Sequence, residues 1–160
     1  MPRIILALFL FSFIIGCSSY GIIKKYNKEN YQHVSFIFNK ISESDLGHAD
    51  IKADFQLIKL YKNDKLDEFQ LRVQASKNQK PIQLDPYVYI SFLETRHHTK
   101  MFWSEKSQMF EIALPLEFAD SIAKDYVLQI RLYQKEKPIF FLFADPEMPG
   151  FRKFVSTRPG

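Results

Sequence analysis

Apolar and polar residues alternate with a period of two through most of this chain. The segment Asp67–Ala75 is the clearest case, with every second residue from Phe69 to Ala75 apolar and the residues between them polar. Successive side chains of a β-strand point to opposite faces, so this pattern is typical of a strand with one buried face and does not fit a helix. The chain is therefore predicted to be all-β.

Seven segments carry a strand pattern. They are Gln32–Phe38, Ile51–Leu60, Asp67–Ala75, Pro86–Leu93, Gln108–Leu114, Tyr126–Tyr133 and Pro138–Phe143. Repeated short strands with turn signals between them indicate a sandwich or a small barrel. We predict a single antiparallel β-sandwich of about seven strands over residues 31–160, immunoglobulin-like or transthyretin-like in architecture.

The second and third segments are predicted to form a hairpin. The residues between them are Lys62-Asn63-Asp64-Lys65, and Asn and Asp tolerate the backbone conformations of tight turns. Towards the end of the second segment the apolar phase shifts, with Ile58 and Leu60 apolar instead of Lys59. A single phase shift in a regular strand predicts a β-bulge at that point.

One segment has helical spacing. Leu116–Lys124 follows Pro115, which suits a helix start, and predicts one short helix between the fifth and sixth strands. Tyr126, four residues after Ile122, stands where the tyrosine corner of an immunoglobulin-like sandwich would stand.

The segment Pro138–Phe143 is apolar on both faces, unlike the other strands. An exposed strand of this kind would promote aggregation, so we expect it to be covered. Two covers are open at this point. One is the chain's own C-terminal tail, through Phe151 and Phe154, and the other is a partner protein.

Residues 1–16 follow a different pattern. Arg3 is the only charged side chain there, and Ile4–Ile15 is apolar except for Ser12. This composition and length are typical of a secretory signal peptide, and the stretch is too short to span a bilayer. It ends in Ile14-Ile15-Gly16-Cys17, which resembles the lipobox of bacterial lipoproteins.

The resemblance to bacterial lipoproteins implies that Cys17, the only Cys in the chain, carries acyl chains such as palmitate and becomes the first mature residue. Acyl chains of this kind anchor a protein to a bilayer. Ser18, in place of Asp, implies the outer rather than the inner membrane. The alternative is an ordinary signal peptide with an unrelated Cys. Residues 17–30 are predicted to be the lipidated Cys and a tether, unless Ile22 and Ile23 begin the first strand.

The sequence carries no motif for catalysis. Only Gly47 and Gly150 lie between the predicted tether and the terminal Gly, too few for a phosphate-binding loop or a nucleophile elbow. Lipidation of Cys17 would leave no free thiol. We therefore expect a protein that is not an enzyme and that holds no cofactor.

One loop could in principle hold a cation. His48, Asp50 and Asp54 would share a face if the following strand began early. Lys52 would project from that same face, however, and there is no zinc motif in the chain. We expect no metal site, and we interpret this segment as a solvated polar loop that leads into a strand.

The most distinctive stretch runs from Arg96 to Trp103. Its candidate binding residues are Arg96, His97, His98, Lys100, Phe102 and Trp103. We predict a loop or turn that leads into a strand, where an aromatic ring beside cations could bind a sugar, an anionic headgroup or a protein partner. The alternative is a basic hairpin tip in which Phe102 or Trp103 plugs one end of the core.

The formal net charge of +4 is too small and too evenly spread to predict binding of nucleic acid. The expected function is that of a membrane-anchored envelope lipoprotein, a binding or scaffolding module with an envelope protein or glycan as partner. The second possibility is a subunit of an envelope or secretion assembly, and an envelope enzyme comes third.

Overall fold

Strands dominate the computed structural model, which describes residues 21–26, 31–43 and 50–159. The lipobox, Cys17 and His48 lie outside the described residues. The strands are β1 (Gly21–Tyr26), β2 (Tyr31–Ile41), β3 (Ile51–Lys62), β4 (Lys65–Lys77), β5 (Lys80–Pro81), β6 (Tyr87–Ser91), β7 (Arg96–Lys100), β8 (Phe102–Ser104), β9 (Met109–Leu114), β10 (Leu128–Gln134) and β11 (Lys137–Phe143). The helices are α1 (Phe118–Lys124) and α2 (Met148–Ser156).

The strands form two antiparallel sheets that pack face to face. Sheet A has the order β1-β2-β3-β4-β9-β8, with β5 beside β4, and sheet B has the order β11-β10-β6-β7. The predicted all-β sandwich is confirmed, and so is the short helix α1. The described residues contain four more strands than the seven predicted, because β1, β7 and β8 occupy segments predicted as tether or loop and the two-residue β5 was not predicted.

Strand β1 corrects the predicted extent of the tether. Gly21–Tyr26 pairs with β2 along its whole length, from Gly21 opposite Ile37 to Tyr26 opposite Gln32. The alternative interpretation, a first strand that includes Ile22 and Ile23, is the one present. Ile22 packs against the core, which explains why this part of the chain is ordered into the sheet.

The hairpin of β3 and β4 is confirmed. Asn63 and Asp64 form its turn with φ of 50° and 63°, in the left-handed region that Asn and Asp enter more readily than most residues. The bulge is misplaced in the prediction, since the register shifts between Leu60 and Tyr61.

The apolar residues that suggested an earlier bulge have another explanation. Ile58 and Leu60 lie on the outer face of sheet A, and Lys59 between them is only 1% exposed. The alternation of faces therefore continues through this part of β3. A buried lysine beside an apolar outer strip produces the same sequence pattern as a phase shift.

Phenylalanine rings from both sheets and from α2 build the core. Phe38 and Phe55 of sheet A stack with ring centroids 5.2 Å apart, and Phe55 meets Phe141 of β11 edge to face at 5.3 Å. Phe151 of α2 contacts Phe143 of β11 at 5.4 Å. These offset and edge-to-face arrangements are the ones that aromatic pairs prefer.

The C-terminal segment covers the inner face of β11, as the first of the two predicted covers, but it does so as a helix. Phe151 and Phe154 of α2 are fully buried. The outer face of β11 is only half-buried, at Phe140 and Leu142. At its edge, the backbone N–H of Glu43 donates to the carbonyl of Phe140 at 2.8 Å, so the segment after β2 occupies part of that edge.

Tyr126 does not form a tyrosine corner. That motif requires a hydroxyl hydrogen-bonded back to the chain, whereas Tyr126 is exposed ahead of β10 and its ring lies 5.2 Å from the guanidinium carbon of Arg152. The residue joins the surface of α2 to the end of α1 rather than closing the sandwich.

Lys59 fixes the end of α2 to sheet A. Its Nζ donates to the carbonyl of Val155 at 2.7 Å and to the carbonyl of Thr157 at 2.5 Å, and lies 5.0 Å from the ring centroid of Phe154. A cation at the C-terminal end of a helix interacts favourably with the unpaired carbonyls there. A residue of β3 therefore caps the last turn of the helix.

The burial of Lys59 predicts a pH dependence of stability. Burial, with a smaller contribution from Arg158, lowers the pKa of Lys59 from 10.5 to about 8. Between these values the unfolded chain binds more protons than the folded one, so this lysine makes the free energy of unfolding rise with pH. We expect the wild type to gain stability relative to Lys59→Met between pH 8 and 10.5, measured by urea unfolding. If the difference in the free energy of unfolding between wild type and Lys59→Met stays constant or falls over that range, burial does not lower the pKa of Lys59.

Candidate ligand face

The predicted binding stretch is mostly strand. Arg96–Lys100 forms β7 at the edge of sheet B, and Phe102–Ser104 forms β8 at the edge of sheet A. Met101 between them is buried, so the chain crosses from the edge of one sheet to the edge of the other with this side chain in the core. The prediction of a loop is wrong, because exposed cations alternating with half-buried residues are here the pattern of a polar edge strand.

The structure divides the six candidate residues among three surfaces. Arg96, His98 and Lys100 are exposed on the outer face of sheet B. His97 faces the other way, with its ring 5.3 Å from that of Phe118 in an edge-to-face contact. This imidazole packs against α1 and does not share a site with His98.

Phe102 and Trp103 lie on β8, where they are 70% and 45% exposed. The Trp103 indole donates to the Glu105 carboxylate at 3.1 Å, and its ring meets Phe110 edge to face at 5.3 Å. The alternative interpretation, in which one of these rings plugs the core, is therefore wrong. Met101 takes the buried position instead.

His98 of β7 belongs to a row of side chains that crosses all four strands of sheet B. Phe140 is opposite Arg131, Arg131 is opposite Tyr89, and Tyr89 is opposite His98. Neighbouring strands lie about 4.8 Å apart, which makes this row roughly 14 Å long. The row places a cation in the middle of a line of aromatic rings.

Arg131 is held between two of these rings. Its guanidinium carbon lies 4.7 Å from the ring centroid of Tyr89 and 4.8 Å from that of Phe140. A guanidinium over an aromatic face is attracted by the ring's negative quadrupole. The two contacts fix the side chain at the centre of the sheet face.

The same guanidinium has few hydrogen-bond partners. Nη1 lies 3.4 Å from the Tyr133 hydroxyl, and Nε is buried without an acceptor in the described part of the chain. None of the ion pairs found among the described residues includes Arg131. A guanidinium presents a planar fork of N–H donors. Because the protein supplies few acceptors for it, the Arg131 guanidinium suits a carboxylate or phosphate group of a ligand.

We call this surface the aromatic–cationic face. It consists of Tyr87, Tyr89, Arg96, His98, Lys100, Arg131, Tyr133 and Phe140. The outward-facing residues of the four strands include three fixed cations and no carboxylate. The face therefore has a positive potential for which the sheet itself supplies no counter-charge.

Two carboxylates stand at one end of the face. Asp85 and Glu136, with Tyr87, His98 and Tyr133, line a cleft of about 280 Å³. The carboxylate of Asp85 accepts backbone N–H groups of Lys135 at 3.1 Å and Glu136 at 2.7 Å. This carboxylate is thus occupied in fixing the β10–β11 turn.

A second concavity, of about 360 Å³, lies on the outer face of sheet A. Its arginine is neutralised, because Arg72 Nε lies 2.9 Å from a carboxylate oxygen of Glu111. The Ser107 hydroxyl donates to the same oxygen at 3.0 Å. This paired arrangement contrasts with the unpaired Arg131 and makes sheet B the stronger candidate for binding an anion.

The described residues contain no group of three His, Cys, Asp or Glu side chains placed to hold a metal ion. The candidate cation loop is described only in part, since His48 lies outside the described residues. Within it, Lys52 and Asp54 form an exposed ion pair at 3.5 Å.

Five residues of the face lie outside the predicted binding stretch: Tyr87, Tyr89, Arg131, Tyr133 and Phe140. A signal for them is present in the sequence, because they occupy the solvent face of their strands, where polar residues are the rule. Of these strands, only β11 was singled out from the sequence for this reason, because it is apolar on both faces. Aromatic residues on the solvent faces of three strands, β6, β10 and β11, would have indicated this surface.

No protein-family model matches this sequence, and the searches of curated proteins and of solved structures found no significant match. In the described part of the chain, no helix is long and apolar enough to cross a membrane. Fold and site together define an antiparallel β-sandwich whose four-stranded sheet displays an aromatic–cationic face.

Proposed function

We propose that the chain is a lipid-anchored binding module of the bacterial envelope and that its aromatic–cationic face binds an anionic glycan. The observation that carries this proposal is Arg131, which is held between Tyr89 and Phe140 with no carboxylate partner among the described residues. Aromatic and arginine side chains are the ones that most often dominate binding energy.

The shape of the face favours an extended ligand. Its central row crosses four strands, and it is open on one side at the edge strand β7. Tyr87 stands beside the row, with its ring centroid 6.3 Å from that of His98. Rings of this kind can stack against the faces of sugars, while Arg131, Arg96 and Lys100 attract acidic groups along a polymer.

The anchor and the location rest on the sequence. Ile14-Ile15-Gly16-Cys17 follows an apolar stretch of signal-peptide length and resembles a lipobox. Acylation of Cys17 would hold the domain at a membrane, and Ser18 favours the outer membrane.

The second candidate function is a subunit of an envelope assembly. The observation that favours it is β8, a short edge strand that exposes both Phe102 and Trp103. Exposed aromatic residues at a sheet edge can anchor a partner protein. Such a partner would sit on sheet A and leave the aromatic–cationic face uncovered.

The anchor is tested by Cys17→Ala. We expect this variant to lose labelling by a metabolic acyl probe and to leave the membrane fraction, because Cys17 is the only thiol in the chain. Ser18→Ala is the matched control and should keep both properties. Continued acyl labelling of the Cys17→Ala variant would overturn the lipoprotein assignment.

A further inference from the structure

The chain between the proposed lipid anchor and the first strand is short. Cys17 and Gly21 are four residues apart, and β1 begins at Gly21. Four extended residues span at most about 14 Å. An acylated Cys17 would therefore hold the start of β1 close to the lipid headgroups, where a tether that ran to residue 30 would have left the domain free to move away.

The register shows which part of the sheet lies at that end. Gly21 is opposite Ile37 in the antiparallel pair of β1 and β2. Beyond Ile37, β2 continues to Ile41 on the side from which the chain enters β1. Four residues of strand span about 13 Å, so Ile41 lies about that far beyond Gly21. This distance is nearly the length of about 14 Å that the segment from Gly21 back to Cys17 can span.

Exposed apolar side chains occupy this corner of sheet A. Ile37 and Ile41 are 40% and 62% exposed, and both lie on the outer face of β2. Lys52 is opposite Ile41 on β3, with its side chain 52% exposed and its Nζ 3.5 Å from the Asp54 carboxylate, in an exposed ion pair that solvent screens. Apolar side chains beside a lysine suit the boundary between acyl chains and anionic headgroups.

We propose that the corner formed by Ile37, Ile41 and Lys52 rests on the lipid leaflet that holds acylated Cys17. The proposal depends on the lipid anchor proposed above. It gives the domain a fixed orientation, because the anchor and the apolar corner restrain it at the same place. The outer face of sheet B lies on the opposite side of the sandwich and points away from the outer face of sheet A.

Single-tryptophan reporters test this orientation. In a Trp103→Phe background, Ile41→Trp places the only Trp at the proposed contact, and Leu93→Trp places it at an equally exposed apolar position between β6 and β7. Each acylated protein is reconstituted in phosphatidylethanolamine/phosphatidylglycerol vesicles that contain brominated lipid. We expect quenching of the Ile41→Trp reporter to be several-fold stronger than quenching of the Leu93→Trp reporter.

Equal quenching of the two reporters, or stronger quenching of the Leu93→Trp reporter, would overturn the proposed orientation. Ile37→Trp in the same background is a second reporter at the corner, should Ile41→Trp fail to fold. Its quenching should also exceed that of Leu93→Trp.

A second arm separates this inference from the anchor on which it depends. The mature chain, beginning at Cys17, is coupled through its thiol to maleimide-bearing lipid in the same vesicles. Absence of acyl mass on Cys17 in cells would remove the proposed anchor, whereas the coupled protein would still report the orientation. Weak quenching at both corner positions in the coupled protein would contradict the proposed orientation without contradicting the proposed lipid anchor.

Discussion

A chain that ends at Ala144 is expected to aggregate instead of remaining a soluble monomer. The truncation removes α2, whose Met148, Phe151 and Phe154 are fully buried. Loss of one buried Phe side chain costs about 3–5 kcal/mol, and a domain of this kind is stable by only about 5–15 kcal/mol in total. Loss of two such rings, with the inner faces of β2 and β11 uncovered, leaves little stability. Size-exclusion chromatography and thermal unfolding measure the outcome.

The matched control for this truncation ends at Arg158. It keeps all of α2 and the Thr157 carbonyl that accepts from Lys59, so we expect a monomer with nearly wild-type thermal stability. A soluble, cooperatively unfolding monomer that ends at Ala144 would contradict the role of α2 as an integral part of the core.

Arg131→Gln is expected to weaken binding of an acidic oligosaccharide by at least about tenfold, because arginine is enriched among the central hot-spot residues whose truncation costs about 2 kcal/mol or more, and about 1.4 kcal/mol already corresponds to tenfold. The variant removes the donor fork while a polar side chain stays between Tyr89 and Phe140. Binding of an oligogalacturonate probe, measured by calorimetry at several salt concentrations, should also become less dependent on salt. A neutral oligosaccharide of the same length serves as the ligand control.

Lys100→Gln is the matched protein control, since it removes the same charge from an exposed edge position. Exposed charges contribute little, about 0–1 kcal/mol, so its effect on affinity should be much smaller than that of Arg131→Gln. Equal effects of the two variants would indicate a diffuse electrostatic attraction without a specific site. Unchanged affinity of Arg131→Gln would contradict the proposal that the aromatic–cationic face binds the ligand. Binding of an acidic protein in place of the glycan would show that the ligand of this face is a protein.

The sheet content of this chain could be predicted because alternation reports directly on one buried face. Helix α2 could not, since Pro149 and Gly150 interrupt the pattern of Met148 and Phe151. Proline is tolerated in the first turn of a helix, where its missing N–H costs nothing, and the burial of Phe151 and Phe154 compensates for the glycine.

The aromatic–cationic face escaped prediction for a different reason. Alternation reports which face of a strand a residue occupies, but not which strand lies next to it. Tyr89 and Arg131 are neighbours only because β10 inserts between β6 and β11, and this order depends on the packing of the whole sandwich. The six predicted residues lie within eight positions of sequence, but the alternation of β7 turns His97 away from the others, and the crossing from sheet B to sheet A at Met101 separates Phe102 and Trp103 from them.

The pairing of β1 with β2 determines how the anchored domain would carry mechanical load. A domain fixed to a lipid and bound to a polymer is pulled through its first strand, which begins at Gly21 and runs antiparallel to β2. The backbone hydrogen bonds of this pair lie perpendicular to the strands. Force applied along β1 from its start therefore strains all of them at once, in shear, and β1 resists detachment more strongly than a strand peeled away one bond at a time.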